Sequence, residues 1–195
     1  MTLSYYTFKN PHDTRMVEIV DLPDKVERYF YLRDGVPSAS YVPPTTELTL
    51  NQQAGDFLTD FIANPDRVLY VSPRVREVLA SRGLIGEAVE LLPFVLLDKR
   101  GRRVPDAYVI ANPLMRVRCL DVERSKVRRR TGRPGQIVEI KSLHLCDEAI
   151  PEDAQLFRLE ELPKLMVLRS DLLEAFQQAG LTGLAVHPTG TEIPG

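Results

Sequence analysis

The pairing of a histidine with a cysteine is the first feature of this sequence that could carry chemistry. His144 and Cys146 stand two residues apart, and Asp147 follows. On an extended strand this spacing places both side chains on one face, as a thiolate–imidazole pair or half of a metal site would require. A metal site needs three or four ligands, and the other histidines, His12 and His187, are isolated in the sequence. We therefore interpret the pair as an ordinary buried cysteine and a surface histidine, and expect no metal and no cofactor.

Two carboxylates are the next candidates, as a pair for acid–base catalysis. Apolar residues at helical spacing predict a helix over residues 54–62, in which Asp56 and Asp60 lie one turn apart. That pair lies opposite the apolar stripe, on the face that water covers. The sequence contains no Gly-x-Ser-x-Gly, His-Glu-x-x-His or phosphate-loop motif. We predict that the protein is not an enzyme.

Charge is unevenly distributed along the chain. Residues 98–133 hold twelve Lys or Arg and four Asp or Glu (+8), which leaves 13 basic and 23 acidic residues (−10) elsewhere. Such an asymmetry steers charged partners. The candidate partner-binding residues are a basic set (Arg100, Arg102, Arg103, Arg128, Arg129 and Arg130) and an acidic set (Asp147, Glu148, Glu160 and Glu161).

The basic segment leaves three interpretations open: an acidic protein partner, a nucleic acid, or a merely solvated loop. Binding to nucleic acid is disfavoured, because no aromatic residues that would stack on bases are interleaved with the basic ones. The acidic remainder of the chain would also repel a phosphate backbone. A nucleic-acid-binding or regulatory module that uses residues 99–133 stays the alternative to protein binding.

Composition predicts a globular protein of the cytosol. Of 195 residues, 44% are hydrophobic and 27% charged, as in ordinary folded domains. Residues 1–15 lack the basic start and apolar run of a secretory signal, and the apolar stretch 91–97 is too short to span a bilayer. Two cysteines do not make a disulfide framework, and free thiols suit a reducing compartment. We therefore expect a cytoplasmic protein that does not enter membranes.

The pattern of apolar residues predicts an α+β fold, with a mixed, largely antiparallel sheet and about three main helices. Helices are expected at 54–62, 73–82 and 170–179. Predicted strands cover residues 5–8, 16–20, 26–32, 68–71, 88–97, 107–110, 115–120, 137–145, 156–159 and 165–168. Residues 36–46 are expected to form a loop, and residues 124–135 a mobile one. We predict a main domain over residues 67–195 and a possible subdomain over residues 1–66.

Two strand–helix–strand units, residues 67–97 and 164–190, resemble each other. Ser72 and Ser170 are expected to cap the two helices. Gly83 and Gly180, 97 residues apart, each close a helix with the same Gly-Leu-x-Gly connector. The repeat predicts an internal duplication, with convergence on common capping residues as the alternative.

Several segments also resemble a known bacterial family. They are residues 69–79 (LYVSPRVREVL), 83–86 (GLIG), 108–113 (YVIANP), 119–125 (CLDVERS), 156–159 (LFRL), 168–170 (LRS) and 179–183 (AGLTG). They resemble a family first described as a domain of unknown function and later assigned to immunity proteins of polymorphic toxin systems (immunity family eleven). The resemblance covers roughly residues 66–190. It implies a cytosolic protein that binds and neutralises a cognate bacterial toxin encoded beside it, and it carries over no catalytic residues.

Overall fold

The computed structural model describes residues 3–11 and 13–192, so His12 lies outside the described residues. The strands are β1 (Tyr5–Lys9), β2 (Glu47–Thr49), β3 (Phe61–Ile62), β4 (Leu69–Val71), β5 (Val89–Pro93), β6 (Val95–Leu97), β7 (Val109–Pro113), β8 (Arg116–Val117), β9 (Lys126–Arg130), β10 (Arg133–Ser142), β11 (Leu156–Leu159), β12 (Leu162–Arg169) and β13 (Ala185–Pro188). The α-helices are α1 (Leu22–Lys25), α2 (Phe30–Arg33), α3 (Pro73–Ser81) and α4 (Ser170–Gln178), and Asp147–Ala149 forms a 3-10 turn. Within this described part, no helix is both long and apolar enough to cross a bilayer.

Two sheets organise the chain. The first sheet has the strand order β13-β1-β12-β11-β8, and the second has the order β3-β4-β7-β5. Every pair in them is antiparallel except β8 with β11. Strands β9 and β10 form a separate antiparallel hairpin, and β2 pairs in parallel with β6. The predicted α+β class with a mixed, largely antiparallel sheet is confirmed.

Part of the strand connectivity is the same in the two sheets. In the second sheet β4 leads into α3, and β5 returns to the far side of β7. In the first sheet β12 leads into α4, and β13 returns to the far side of β1. The hairpin partners β3 and β11 then lie beside β4 and β12, so β3-β4-β7-β5 corresponds to β11-β12-β1-β13, and β8 is an additional strand beside β11. This correspondence supports the duplication, which we keep as a proposal together with the division of the chain at residue 66.

The two long helices lie in one core that both sheets share. Val75 of α3 and Leu172 of α4 are completely buried, in a cluster that contains residues of β4 and β12. The rings of Phe61 and Phe176 meet edge to face, with centroids 5.3 Å apart. Burial of such apolar surface is the main source of stability, so the helix pair joins the sheets into one packed unit.

The ends of these helices confirm most of the predicted capping. The hydroxyl of Ser72 accepts a hydrogen bond from the backbone N–H of Val75, and Gly83 and Gly180 adopt left-handed φ angles of 69° and 62°. The prediction for Ser170 is wrong: it is the first residue of α4, and its N-cap residue is Arg169. The Ser170 hydroxyl instead accepts a hydrogen bond from the backbone N–H of Ser4.

The helix predicted over residues 54–62 does not form. The backbone N–H of Gly55 donates to the carbonyl oxygen of Met16, and that of Phe57 to the carbonyl oxygen of Arg15. Strand β3, residues 61–62, pairs with β4. A Cβ atom at Gly55 would lie 2.0 Å from the backbone of Arg15, so glycine is needed for this close approach. Long-range pairing therefore overrides the local helical pattern.

Four further predictions of local structure are wrong. Residues 26–32 end α1 and enter α2 instead of forming a strand, and residues 16–20 make only isolated bridges. Residues 115–120 contain only the two-residue strand β8, and residues 124–135 form most of the β9–β10 hairpin instead of a loop. Pro23 favours the first turn of α1, and the buried guanidinium of Arg158 donates to the carbonyl oxygens of Leu32 and Arg33 at the end of α2.

Candidate partner-binding surface

The hairpin of β9 and β10, residues 126–142, is the most strongly charged element of the fold, and we call it the basic arm. It carries six Lys or Arg and one Glu (+5). Ile137 and Ile140 anchor its base in a core with β11 and β12. Residues 128–136 are all exposed, and their side-chain hydrogen bonds stay within the hairpin. The tip is therefore held by its own strand pairing and is open to a partner.

Several charges of the arm are not neutralised. Arg128 donates a 2.6 Å hydrogen bond to Glu139, which lowers the pKa of that carboxyl. Arg129 instead donates to the backbone carbonyl of Pro134, and Arg130 to an amide oxygen. Across the described residues, Arg129, Arg130 and Arg133 make no ion pair within 4 Å. Exposed cations without partners create a positive potential that attracts acidic molecules.

A cleft lies at the base of the arm, between the two sheets. It has a volume of about 550 Å³ and is formed by residues of β1, β3, β4, β10, β12 and β13. Its floor is apolar and consists of side chains less than a tenth exposed: Phe61, Leu69, Ile140, Leu162, Leu165 and Met166. Volume and apolar lining both fall in the range of ligand- and anchor-binding sites.

Four cations line this cleft, and we call Lys9, Arg67, Lys141 and Lys164 the cleft cations. In the part of the chain that the structure describes, none of them has a carboxylate within 4 Å. The side-chain amine of Lys164 donates a 3.1 Å hydrogen bond to the carbonyl oxygen of Val138. Burial, with the charge of Arg67 as a further cause, lowers the pKa of Lys164. An anion placed here would relieve this unbalanced positive charge.

The other predicted basic residues lie elsewhere. Arg100, Arg102 and Arg103 belong to the turn after β6, where Arg102 pairs with Asp98 at 2.7 Å. Hydrogen bonds from the backbone and side chain of Arg102 lower the pKa of Asp98. The neighbouring Lys99 pairs with Asp56 at 2.8 Å. These contacts fix the turn on the N-terminal part of the chain, and no hydrogen bond or ion pair between described residues joins it to the arm.

The predicted acidic residues divide into two places. Asp147 and Glu148 are exposed on the 3-10 turn that follows Cys146. Glu160 lies in the turn between β11 and β12, where it pairs with Arg118 at 2.9 Å. Glu161, beside it, has one buried carboxylate oxygen without a hydrogen-bond partner. The structure therefore does not gather the ten predicted residues into one surface.

The candidate chemical groups are held in structural roles. Burial raises the pKa of Cys119 to about 12, and desolvation also raises that of Cys146. Asp60 is buried and accepts hydrogen bonds from Ser72 and Thr182, whereas Asp56 is exposed. Among the described residues, no three His, Cys, Asp or Glu side chains come together as metal ligands would. The two thiols are therefore protonated at neutral pH, and Asp60 organises the start of α3.

A comparison with known protein families identifies the family of this chain. The model of one family, described as the immunity protein family Imm11, matches residues 5–191. The chain belongs to the Imm11 immunity protein family. No curated protein matches the chain. The match extends the resemblance seen in residues 66–190 to the N-terminal third, whose strand β1 completes the first sheet of this Imm11 member.

Sequence reasoning missed the cleft of this Imm11 protein. Its four cations are spread from position 9 to position 164, and each is a single Lys or Arg in an unremarkable context. Only the pairing of β1 with β12 and the approach of β10 bring them to one opening. Only Lys141 is marked by a local pattern, because it lies on the polar face of a strand that the alternation of residues predicts.

Proposed function

We propose that this Imm11 protein acts in the cytosol by binding a cognate toxin, encoded beside it, and blocking that toxin without catalysis. The family match supports an immunity role. A single structural observation supports the binding mode: the tip of the basic arm is fully exposed, and three of its arginines have no acidic partner among the described residues. An immunity protein needs only a complementary surface, with charges that speed association.

The arm is the contact that we assign to an acidic surface of the toxin. Charge here is not required for folding, because Arg129 and Arg130 contact only their own hairpin. Isolated exposed charges contribute little to stability, whereas complementary charge raises association rates strongly. The exposed pair Arg100 and Arg103 offers the same charge on a different surface, which makes it a matched control.

The experiment combines co-purification with growth rescue. The protein and the product of the neighbouring gene are expressed together, and cell growth and complex formation are recorded. We expect a stable complex that restores growth. We expect the double variant Arg129→Glu/Arg130→Glu to weaken the complex about tenfold or more, and Arg100→Glu/Arg103→Glu to bind as the unaltered chain does.

The outcomes separate the proposal from its alternative. If the unaltered chain forms no complex and does not restore growth, toxin neutralisation is contradicted. Binding of DNA or RNA with an affinity that falls steeply with salt would instead favour the nucleic-acid module. In the structure, that module would have to rely on the arm alone, because the turn with Arg100 lies on a different part of the fold.

A further inference from the structure

We propose that the cleft at the base of the basic arm receives an acidic segment of the toxin that carries a large apolar side chain. This inference rests on the proposed function and specifies the chemistry of the contact. It assigns the apolar floor to the anchor and the cleft cations to flanking carboxylates. The occupant is therefore a stretch of polypeptide in which Asp or Glu surrounds a Leu, Phe or similar residue.

The apolar floor is the part that favours an anchor. Leu162 and Met166 project from β12, and Phe61 and Leu69 from the second sheet, toward one volume of about 550 Å³. A large side chain that fills such a pocket and leaves water is the usual centre of a protein interface. Removal of such a side chain from water favours the bound state.

The charge around the cleft is the part that favours an acidic segment. Four cations line it, against one carboxylate, and that carboxylate, Glu139, is already bound by Arg128 of the arm. Lys164 is half-buried, whereas the other three are exposed, and its burial together with the charge of Arg67 lowers its pKa. A carboxylate from a partner would pair with cations that have no carboxylate of their own within 4 Å among the described residues.

Continuity with the arm is the part that favours a protein over a small amphipathic anion. Glu139, Ile140 and Lys141 line the cleft and belong to the same strand as the exposed tip. A partner that docks on Arg129 and Arg130 is therefore led directly to the cleft. A small ligand would fill the cleft and leave the cations of the arm unused.

Photo-crosslinking tests the position of the segment. The photoreactive residue p-benzoylphenylalanine is placed at Ala185, which lines the cleft, and as a control at the exposed Lys25, which does not. After irradiation of the complex with the toxin, mass spectrometry identifies the crosslinked peptide. We expect a toxin crosslink from position 185 and none from position 25. The crosslinked peptide should contain several Asp or Glu beside a large apolar residue. A complex without a crosslink at 185, or with a basic or uncharged peptide attached there, overturns the inference.

Charge reversal tests the energetics. Arg67→Glu/Lys141→Glu reverses two exposed cleft cations, and Arg15→Glu/Lys25→Glu makes the same change at two exposed cations away from the cleft. We expect the first variant to bind the toxin about tenfold more weakly and the second to bind within about twofold of the unaltered chain. The conservative variant Arg67→Lys/Lys141→Arg should keep full affinity, and circular dichroism should show that all variants fold.

The results distinguish failure of the inference from failure of the proposed function. A complex whose affinity is unchanged by the cleft variant overturns the inference and leaves toxin binding in place. Absence of any complex with the unaltered chain overturns both. Displacement of a bound fluorescent fatty acid by dodecanoate, without any effect of the toxin, would assign the cleft to a small amphipathic anion and overturn the inference as well.

Discussion

Arg158 and Leu32 are 126 residues apart in the sequence, yet Nη2 of Arg158 donates a 2.9 Å hydrogen bond to the carbonyl oxygen of Leu32. The same guanidinium donates to the carbonyl oxygens of Arg33, Pro113 and Pro163 at 2.7, 2.8 and 3.0 Å. Arg158 is buried, and this burial is the largest cause of the lowering of its pKa to about 10. One side chain on β11 therefore fastens the end of α2 to both sheets.

Replacement of this arginine should destabilise the fold severely. Arg158→Met leaves four buried or partly buried carbonyl oxygens without this donor, and we expect it to lower the free energy of unfolding by about 3–5 kcal/mol. The neighbouring Arg116 also donates to a carbonyl oxygen, that of Asp34, but is exposed. Arg116→Met should cost about 0.5 kcal/mol. Urea denaturation measures both, and equal losses would contradict the assigned role.

Asp60 should make stability depend on pH. Burial is the largest influence on this carboxyl and raises its pKa, but hydrogen bonds from Ser72 and Thr182 and the charge of Arg74 outweigh it, so the pKa is lowered. A lowered folded-state pKa contributes stability above the unfolded value near 4, which is lost as pH falls through the folded value. Asp60→Asn should remove that part of the pH dependence.

Thermal unfolding of the unaltered chain and of Asp60→Asn between about pH 2 and pH 7 measures this effect. We expect the gap in stability between them to be largest at neutral pH, about 1–3 kcal/mol, and to narrow under acid conditions. A gap that stays constant with pH would show that the hydrogen bonds matter but the charge does not. Asp56→Asn is the control, since Asp56 is exposed and pairs only with Lys99.

Alanine at the matching glycines Gly83 and Gly180 should have similar effects, whereas alanine at Gly183 should have a larger one. Gly83 and Gly180 both have positive φ and open space around them, apart from a distant arginine nitrogen near Gly180. Each alanine variant should cost about 1 kcal/mol. Gly183→Ala should cost distinctly more, because its Cβ would lie 2.2 Å from the carbonyl oxygen of Phe61. Chemical denaturation checks the order, with Gly135→Ala as a neutral control.

The two thiols should react slowly in the folded protein. Burial raises the pKa of Cys119 to about 12, and desolvation raises that of Cys146. Since only the thiolate is nucleophilic, we expect Ellman's reagent at pH 8 to label Cys119 only after unfolding in guanidinium. Cys146, which is partly exposed, should react first. Rapid labelling of both thiols in the folded chain would contradict this environment.

Association with the proposed toxin partner should depend on salt. If the unpaired arginines of the arm steer the encounter, raising the ionic strength from about 0.05 M to 0.5 M should lower the association rate constant and change the dissociation rate little. Stopped-flow measurements of both constants test this. An association rate that does not change with salt would remove the arm from the encounter.

Local sequence patterns predicted the elements that sit in both repeated units. The β4–α3 and β12–α4 pairs have strong apolar spacing and a glycine stop, and both formed where expected. The pattern at residues 54–62 failed because Phe61 and Ile62 pair with a distant strand. Residues 124–135 lack the apolar alternation that indicates a strand, so the sequence predicts a loop there, but an exposed hairpin does not need this alternation.

The candidate surface was predictable only in part. Arg128, Arg129 and Arg130 are adjacent in the sequence, so a run of charge marks them directly. The cleft cations come from four separate segments, and the acidic candidates Glu148 and Glu160 lie in different turns. Long-range strand order decides such groupings, and no local periodicity encodes it.

The position of β1 has a consequence for the order of events during synthesis. Both neighbours of β1, the strands β12 and β13, are translated near the end of the described chain. The strands of the second sheet are all synthesised by residue 113, whereas β1 has no neighbour until β12 follows and gains its second neighbour only with β13. We therefore expect the first sheet to close after the second, and the edges of β1 to need shielding in the nascent chain until then.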